Sequence, residues 1–288
     1  MSRIRNFEYL FRLGWLFAIS IVLGGFSVPI FLFPGHFGFF LGFGLACLTG
    51  CSIVLLSAQL FIFRPRPAAG IPRILMLHSV NNDIVEPIAP NNSIRPQELA
   101  TLIEHLLAAK YTFRTLTQAM TPHPTSRVIV LTFDDGFIDN VTHLLPILKH
   151  FQIPATCFVT DRRNSAFLSD SDIQTLAATG LIEFGGHTVH HEDLRQCSSA
   201  ALMQELTQNR ETLRRLTKQP VETFAYPSGF YNNRERNAVK AAGFRWAVTT
   251  RKHGSTPPDP LQLPRQIIPR GLSPIQAYLL ATRGRFRI

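Results

Sequence analysis

Val128-Ile-Val-Leu-Thr-Phe-Asp-Asp-Gly136 decides the fold. Six apolar or β-branched residues without a charge read as a strand buried on both faces, and Asp-Asp-Gly ends it in a turn. Two carboxylates placed there can divide labour, one ligating a cation and the other taking a proton from water. An ordinary Asp-Asp-Gly turn has the same composition, so the stretch needs support from elsewhere in the chain.

Outward from it, short apolar runs alternate with amphipathic segments, the pattern of repeated βα units around a parallel sheet. Strands are expected at Arg73–His78, Ala155–Thr160, Ile182–Gly186, Glu222–Tyr226, Arg245–Thr250 and Arg265–Ile268. Helices are expected at Arg95–Lys110, His143–Phe151, Ser169–Ala178, Ser199–Lys218, Asn233–Ala242 and from Ser273 onward. His78, Asp134-Asp135, His187/His191 and Tyr226-Pro227 each fall at the carboxyl end of a predicted strand, the rim where parallel α/β barrels build active sites.

His187-Thr-Val-His-His191 carries two histidines four apart. On a helical turn both imidazoles would face one point, and with one carboxylate they form a three-donor set that leaves room for water and substrate. His190 between them reads as an ordinary hydrogen-bonded residue. Phe224-Ala-Tyr-Pro-Ser-Gly229 reads as a strand ending in a turn, with Tyr226, Pro227, Ser228 and Gly229 as a groove wall for substrate and a backbone N–H aimed at an oxyanion.

Thr132-Phe-Asp-Asp-Gly136, His187-Thr-Val-His-His191 running into Glu192-Asp-Leu194, and Phe224-Ala-Tyr-Pro-Ser-Gly229, in that order, resemble the polysaccharide deacetylase superfamily, carbohydrate esterase family four. Leu75-Met-Leu-His78-Ser-Val80 is similar to the poly-N-acetylglucosamine deacetylase variant, in which a histidine motif precedes the Asp-Asp strand. The resemblance covers roughly residues 71–270. It implies a distorted seven-stranded (β/α) barrel and a divalent metal, usually Zn2+. It implies Asp134 as general base, Asp135, His187 and His191 as metal ligands, His78 as general acid, and the Ser228 amide as an oxyanion donor. Ala225 stands where the third motif often has an arginine that orients the base, and a late Leu-x-His motif is missing. Arg265 is available to supply the guanidinium from elsewhere, and is counted with the substrate-binding residues.

The first 66 residues differ in kind. Leu13–Phe33 and Phe37–Phe63 contain no charge, and each is long enough to span a bilayer as a helix. Pro34-Gly35-His36 breaks between them. A transmembrane hairpin at 1–66, followed by a catalytic domain at 67–288, is the expected organisation. Five arginines against Glu8 give this segment a net charge of +4, and they flank the two stretches rather than the connecting turn. Positive-inside bias therefore places both ends on the cytoplasmic side of the inner membrane.

The remaining +6 suits membrane lipids or a phosphorylated substrate, and no nucleic-acid-binding motif is visible. Four cysteines show neither disulfide nor zinc-knuckle spacing, and Cys157 reads as core. The expected substrate is an amino sugar carrying an N-acyl group, in a glycan polymer or linked to a polyprenyl phosphate, where Arg270, Arg283, Arg285 and Arg287 could meet the phosphate. A non-catalytic carbohydrate-binding protein on the same fold is the alternative of another class.

Overall fold

A computed structural model describes residues 72–83, 92–121, 127–252 and 259–284. The expected hairpin at 1–66 lies outside the described residues, and among those described no helix is long and apolar enough to cross a membrane.

The described residues form the strands β1 Arg73–Leu77, β2 Ser79–Val80, β3 Ser93–Ile94, β4 Thr112–Phe113, β5 Val128–Phe133, β6 Ala155–Val159, β7 Ile182–Gly186, β8 Thr223–Ala225, β9 Trp246–Val248 and β10 Gln266–Ile267. Seven helices accompany them: α1 Pro96–Ala108, α2 Leu116–Met120, α3 Leu145–Phe151, α4 Asp170–Ala178, α5 Ser199–Thr217, α6 Asn233–Ala241 and α7 Pro274–Arg283. Every strand and helix expected from Arg73 onward is present, within a few residues of its expected ends. A π-helical turn, Asn140–Leu144, runs into α3. The β2–β3 pair, β4 and α2 have no counterpart in the sequence reading, being too short to show a period.

The main sheet is parallel, in the order β10-β1-β5-β6-β7-β8-β9, with β4 alongside the start of β5. Its two ends meet through an irregular stretch. Leu263 N–H donates to Ala247 O, Thr249 N–H to Leu263 O and Arg265 N–H to Arg251 O, at 2.8–3.0 Å. The same chain then pairs with β1 as β10. Seven strands therefore return on themselves, and the distortion of the barrel is this closing segment.

Two apolar cores follow from strand alternation. Ile129, Leu131 and Phe133 of β5 face outward into the larger one, against helices that include Leu99, Leu102, Ile103 and Leu106 of α1. Val128 and Val130 face inward and meet Ile74, Phe158, Ala225, Val248 and Leu263, while Leu116 and Ala119 of α2 plug the amino-terminal end. The β5 run is apolar throughout because both of its faces are covered. Continuing the inward parity brings Thr132 and then Asp134 to the top of the barrel interior.

Side-chain caps start the helices that cover the sheet. The Ser169, Ser198 and Ser273 hydroxyls accept the amides of Asp172, Ala201 and Gln276 at the starts of α4, α5 and α7.

Inside the barrel the space at Gly185 is taken, since a Cβ there would lie 2.5 Å from both the Phe158 ring and Thr223 Oγ1. Gly185→Ala is expected to destabilise the domain by about 1–3 kcal/mol through overpacking, checked by urea unfolding. An unchanged midpoint would show that the interior can relax around a methyl group.

Candidate active site

Asp134 follows β5 directly and its N–H donates to Leu77 O at 3.0 Å, which ties it to the end of β1. Its carboxylate is 3% exposed. Arg265 meets it with two parallel bonds, Nη1 to Oδ1 and Nη2 to Oδ2, both 2.6 Å. The guanidinium is itself fixed, donating from Nε to Thr249 O at 3.0 Å and from Nη1 to Thr132 Oγ1 at 3.1 Å, above the Phe158 ring. Burial alone would raise the Asp134 pKa, but the Arg265 charge and hydrogen bonds outweigh it and hold the group below the ordinary carboxylate value. Asp134 is thus a buried, ionised acceptor.

Asp135 adopts φ 73° and Gly136 φ 77°, so the chain turns sharply after the strand and sends the two carboxylates to different neighbours. Gly136 tolerates no side chain, since a Cβ would lie 2.8 Å from Val159. Asp135 Oδ1 faces His187 Nε2 at 3.4 Å and His191 Nε2 at 3.2 Å. Burial pushes the Asp135 carboxyl up, yet its hydrogen bond to His187 and the surrounding histidines bring it well below the usual range.

His187 Nδ1 lies 2.8 Å from Ala225 O, and a carbonyl can only accept, so the proton sits on Nδ1 and Nε2 is left as a donor atom for a cation. His191 is pushed down to about 4, by burial first and by the neighbouring His187 second, which keeps it neutral. Asp135, His187 and His191 offer one ligand atom each, all within 4.8 Å of one another. Ligands about 2.0–2.1 Å from one tetrahedral ion stand ~3.3 Å apart, close to both measured carboxylate–imidazole separations. The donor set fits a divalent metal.

The two histidines reach this point by another route than the expected helical turn. Residues 187–191 form a loop with Thr188 at φ 69° and His191 at φ 62°, and Thr188 Oγ1 accepts the His191 N–H at 3.0 Å. His190 points away, exposed, with its ring on Glu205.

His78 Nε2 stands 3.9 Å from Asp134 Oδ2. The backbone around it is fixed by Asn140 Nδ2, which donates to His78 O at 3.4 Å, and by Asp139, which accepts from Ser79 Oγ and Val80 N–H. Its Nδ1 is buried and has no hydrogen-bond partner among the described residues.

Two sequence expectations need correction. Tyr226 does not line a groove: it is fully buried, donates its hydroxyl to Leu261 O at 3.1 Å and stacks on Tyr231. Strand parity explains this, because Ala225 faces the interior and Tyr226 must face the helices. Nor can the Arg265 side chain, with no exposed surface, touch substrate. It serves Asp134, as the missing arginine of the third motif suggested. In the turn, Pro227 is buried, Gly229 at φ 72° has Thr250 where a side chain would be, and Ser228 at φ 54° is exposed.

Sequence reasoning missed Glu205, Asn209, Asp139 and Arg162. Glu205 and Asn209 were detectable as polar residues on the buried stripe of α5, among Leu202, Leu206 and Leu213. Arg162 Nη2 lies 3.4 Å from Asp135 Oδ1, with its guanidinium over Phe167.

A parallel barrel with an ionised buried aspartate beside a facial carboxylate–imidazole set has the architecture of a hydrolytic site. Residues 121–247 match the polysaccharide deacetylase family. The chain is 27% identical over 146 residues to the poly-beta-1,6-N-acetyl-D-glucosamine N-deacetylase of Staphylococcus aureus, covering 46% of this chain and 50% of that protein. It spans about half the length of the curated relatives it matches. The Streptococcus pyogenes deacetylase PplD, solved in complex with acetate, superposes with a TM-score of 0.65 at 28% identity, over 75% of this chain and 99% of that one. A polysaccharide deacetylase from Bacillus cereus shares the fold, with a TM-score of 0.65 at 23% identity over 73% and 68% of the two chains.

Arg265→Ala leaves a buried carboxylate unpaired and is expected to lower stability at pH 7 by about 3–5 kcal/mol. The depressed Asp134 pKa stabilises the fold above the ordinary carboxylate value of 3.8 and ceases to do so as pH falls through the folded value. In the variant, burial raises that pKa, so acidification relieves the penalty. The stability gap between the two proteins should therefore narrow from pH 7 to pH 4 in urea titrations. A constant gap would contradict the ionised-pair assignment.

Proposed function

We propose that this domain is a metal-dependent carbohydrate N-deacetylase, removing an N-acetyl group from an amino sugar. The observation that carries the reading is the pairing of two carboxylates with opposite tasks, Asp134 locked to Arg265 and Asp135 grouped with His187 and His191. Two imidazoles and one carboxylate favour Zn2+ over the harder cations. When bound, such an ion lowers the pKa of water towards ~7 and polarises an amide carbonyl.

The chain's own groups supply the rest. Asp134 takes the proton of the attacking water, and Arg265 keeps it ionised for that purpose while fixing its two oxygens. The Ser228 backbone N–H, on the exposed turn after β8, is the donor for the developing oxyanion. His78, on the other side of Asp134, gives a proton to the departing amine nitrogen. This couples bond cleavage to formation of a neutral leaving group. Barrel-interior residues below, Phe158 and Thr132 among them, close the floor of the site to solvent.

The relatives support this substrate class. The staphylococcal protein is named for poly-N-acetylglucosamine, and the streptococcal one was solved with acetate, the acid that N-acetyl hydrolysis would release. The two uncharged stretches at 13–33 and 37–63 support a second substrate reading, an amino sugar on a polyprenyl phosphate presented at the cytoplasmic face of a bilayer. A reporter fused to the carboxyl terminus, active inside the cell and silent outside, is the result that this sidedness requires.

Acetate release from oligomeric N-acetylglucosamine and from a polyprenyl-phosphate N-acetylhexosamine tests both. Asp134→Asn should lose activity by ~10²–10⁴-fold, the usual contribution of a general base. His187→Ala should be inactive, and chelator-treated wild type should recover with zinc. A wild-type protein that binds no metal and releases no acetate would sink the hydrolase reading in favour of a carbohydrate-binding one.

A further inference from the structure

The loop that carries both imidazoles is built from conformations a peptide does not choose. Thr188 and His191 both have positive φ, each a local strain of order 1 kcal/mol for a residue with a side chain. Such a loop persists only if something over-determines it, and a loop of this kind has no ladder or helix bonds of its own to do so.

The bonds go to α5. Glu205, 7% exposed, accepts the backbone N–H groups of Val189 and His190 on one oxygen, at 2.9 and 3.0 Å, and the His190 ring on the other at 2.5 Å. Asn209, one turn further along the same face, is fully buried. Its Oδ1 accepts the His187 N–H at 2.9 Å, while its amide donates to Val159 O at 3.0 Å and to Asp161 Oδ1 at 2.7 Å. Every hydrogen of that amide is used, and its acceptor is spent on the residue that begins the loop. Asp161 N–H donates in turn to Val189 O at 3.2 Å. Gly186, just before the loop, is where Asn209 comes close: a Cβ there would lie 3.0 Å from Oδ1.

Two polar side chains on a helix stripe rich in leucine thus hold together the end of β6, the end of β7 and the loop beyond. We propose that Glu205 and Asn209 are positioning residues for the cation site, fixing the 187–191 backbone so that the His187 and His191 imidazoles converge on Asp135. The inference rests on the metal reading above. It gives α5 a task beyond covering the sheet, since without these bonds the loop relaxes to ordinary φ values and the Nε2 atoms separate.

Cobalt(II) titration of the metal-free protein, followed by its visible absorption, reads the geometry directly. Glu205→Gln keeps the size of the side chain but weakens the double acceptor, and should lose about tenfold or more in cobalt affinity, the scale of outer-shell substitutions. Glu205→Ala should lose more and shift the cobalt spectrum. Leu213→Ala, on the same helix, buried and eight residues beyond Glu205, should lower the thermal midpoint and leave cobalt affinity unchanged. If Glu205→Ala fails to fold, the isosteric glutamine variant carries the test. Wild-type affinity in a folded Glu205→Gln and in Glu205→Ala would overturn the clamp while the metal reading stands. Failure of the wild type itself to bind cobalt would overturn both.

Discussion

The ion pair between Asp134 and Arg265 joins residues 131 positions apart, inside the barrel and almost wholly buried. Asp134 crowns β5, and Arg265 lies in the irregular segment that pairs with β9 on one side and leads into β10 on the other. Forming the bond and closing the barrel are therefore one event. Taking both charges out of water is expensive, and packed apolar residues of similar volume often stabilise a core as well or better. What those cannot provide is a carboxylate that stays ionised in a dry site. The pair is best understood as the arrangement that keeps a buried carboxylate ionised, with stability a secondary result.

From that constraint the surrounding polarity follows. Asp134 is surrounded by groups that favour its charge, Arg265 first, then His78 and His187. Asp135, one residue on, is turned by its positive φ into a different neighbourhood, dominated by the two imidazoles. Adjacent carboxylates in one environment would raise each other's pKa and share a proton. The left-handed residue separates their surroundings, so both remain ionised, one paired with Arg265 and the other grouped with two imidazoles. Gly136 makes the turn possible, because the Val159 side chain occupies the space a larger residue would need.

Much of this was legible in the sequence where a rule of period applied. The β5 run announces itself because both of its faces are buried, and α1 because Leu99, Leu102, Ile103 and Leu106 repeat at helical spacing. The strand-end positions of His78, Asp134 and His187 follow from the same parallel pattern. The failures have physical causes too. A spacing of four suggested a helical turn at 187–191, but the bonds that shape that loop run to α5, and local spacing cannot reveal a partner fifteen or more residues away. Tyr226 looked like a substrate contact because it follows a strand. Its parity, opposite to the inward Ala225, was in the sequence and points it at the outer core instead.

The same parity accounts for how this chain manages without an arginine at position 225. Ala225 is fully buried and faces the interior among Val248, Phe158 and Leu263. Leu263 is inward as well, so two residues later Arg265 enters the barrel from the neighbouring seam. It crosses the Phe158 ring and anchors its Nε on Thr249 O, next to β9. The interior at this level is already filled by one guanidinium. A long side chain at 225 would compete for the space that Arg265 takes, and a short one at 265 would leave Asp134 unpaired. Alanine on β8 and arginine on the closing segment are therefore complementary choices. The buried Asp134 carboxylate requires a guanidinium at a fixed place, and in this barrel the closing segment delivers it.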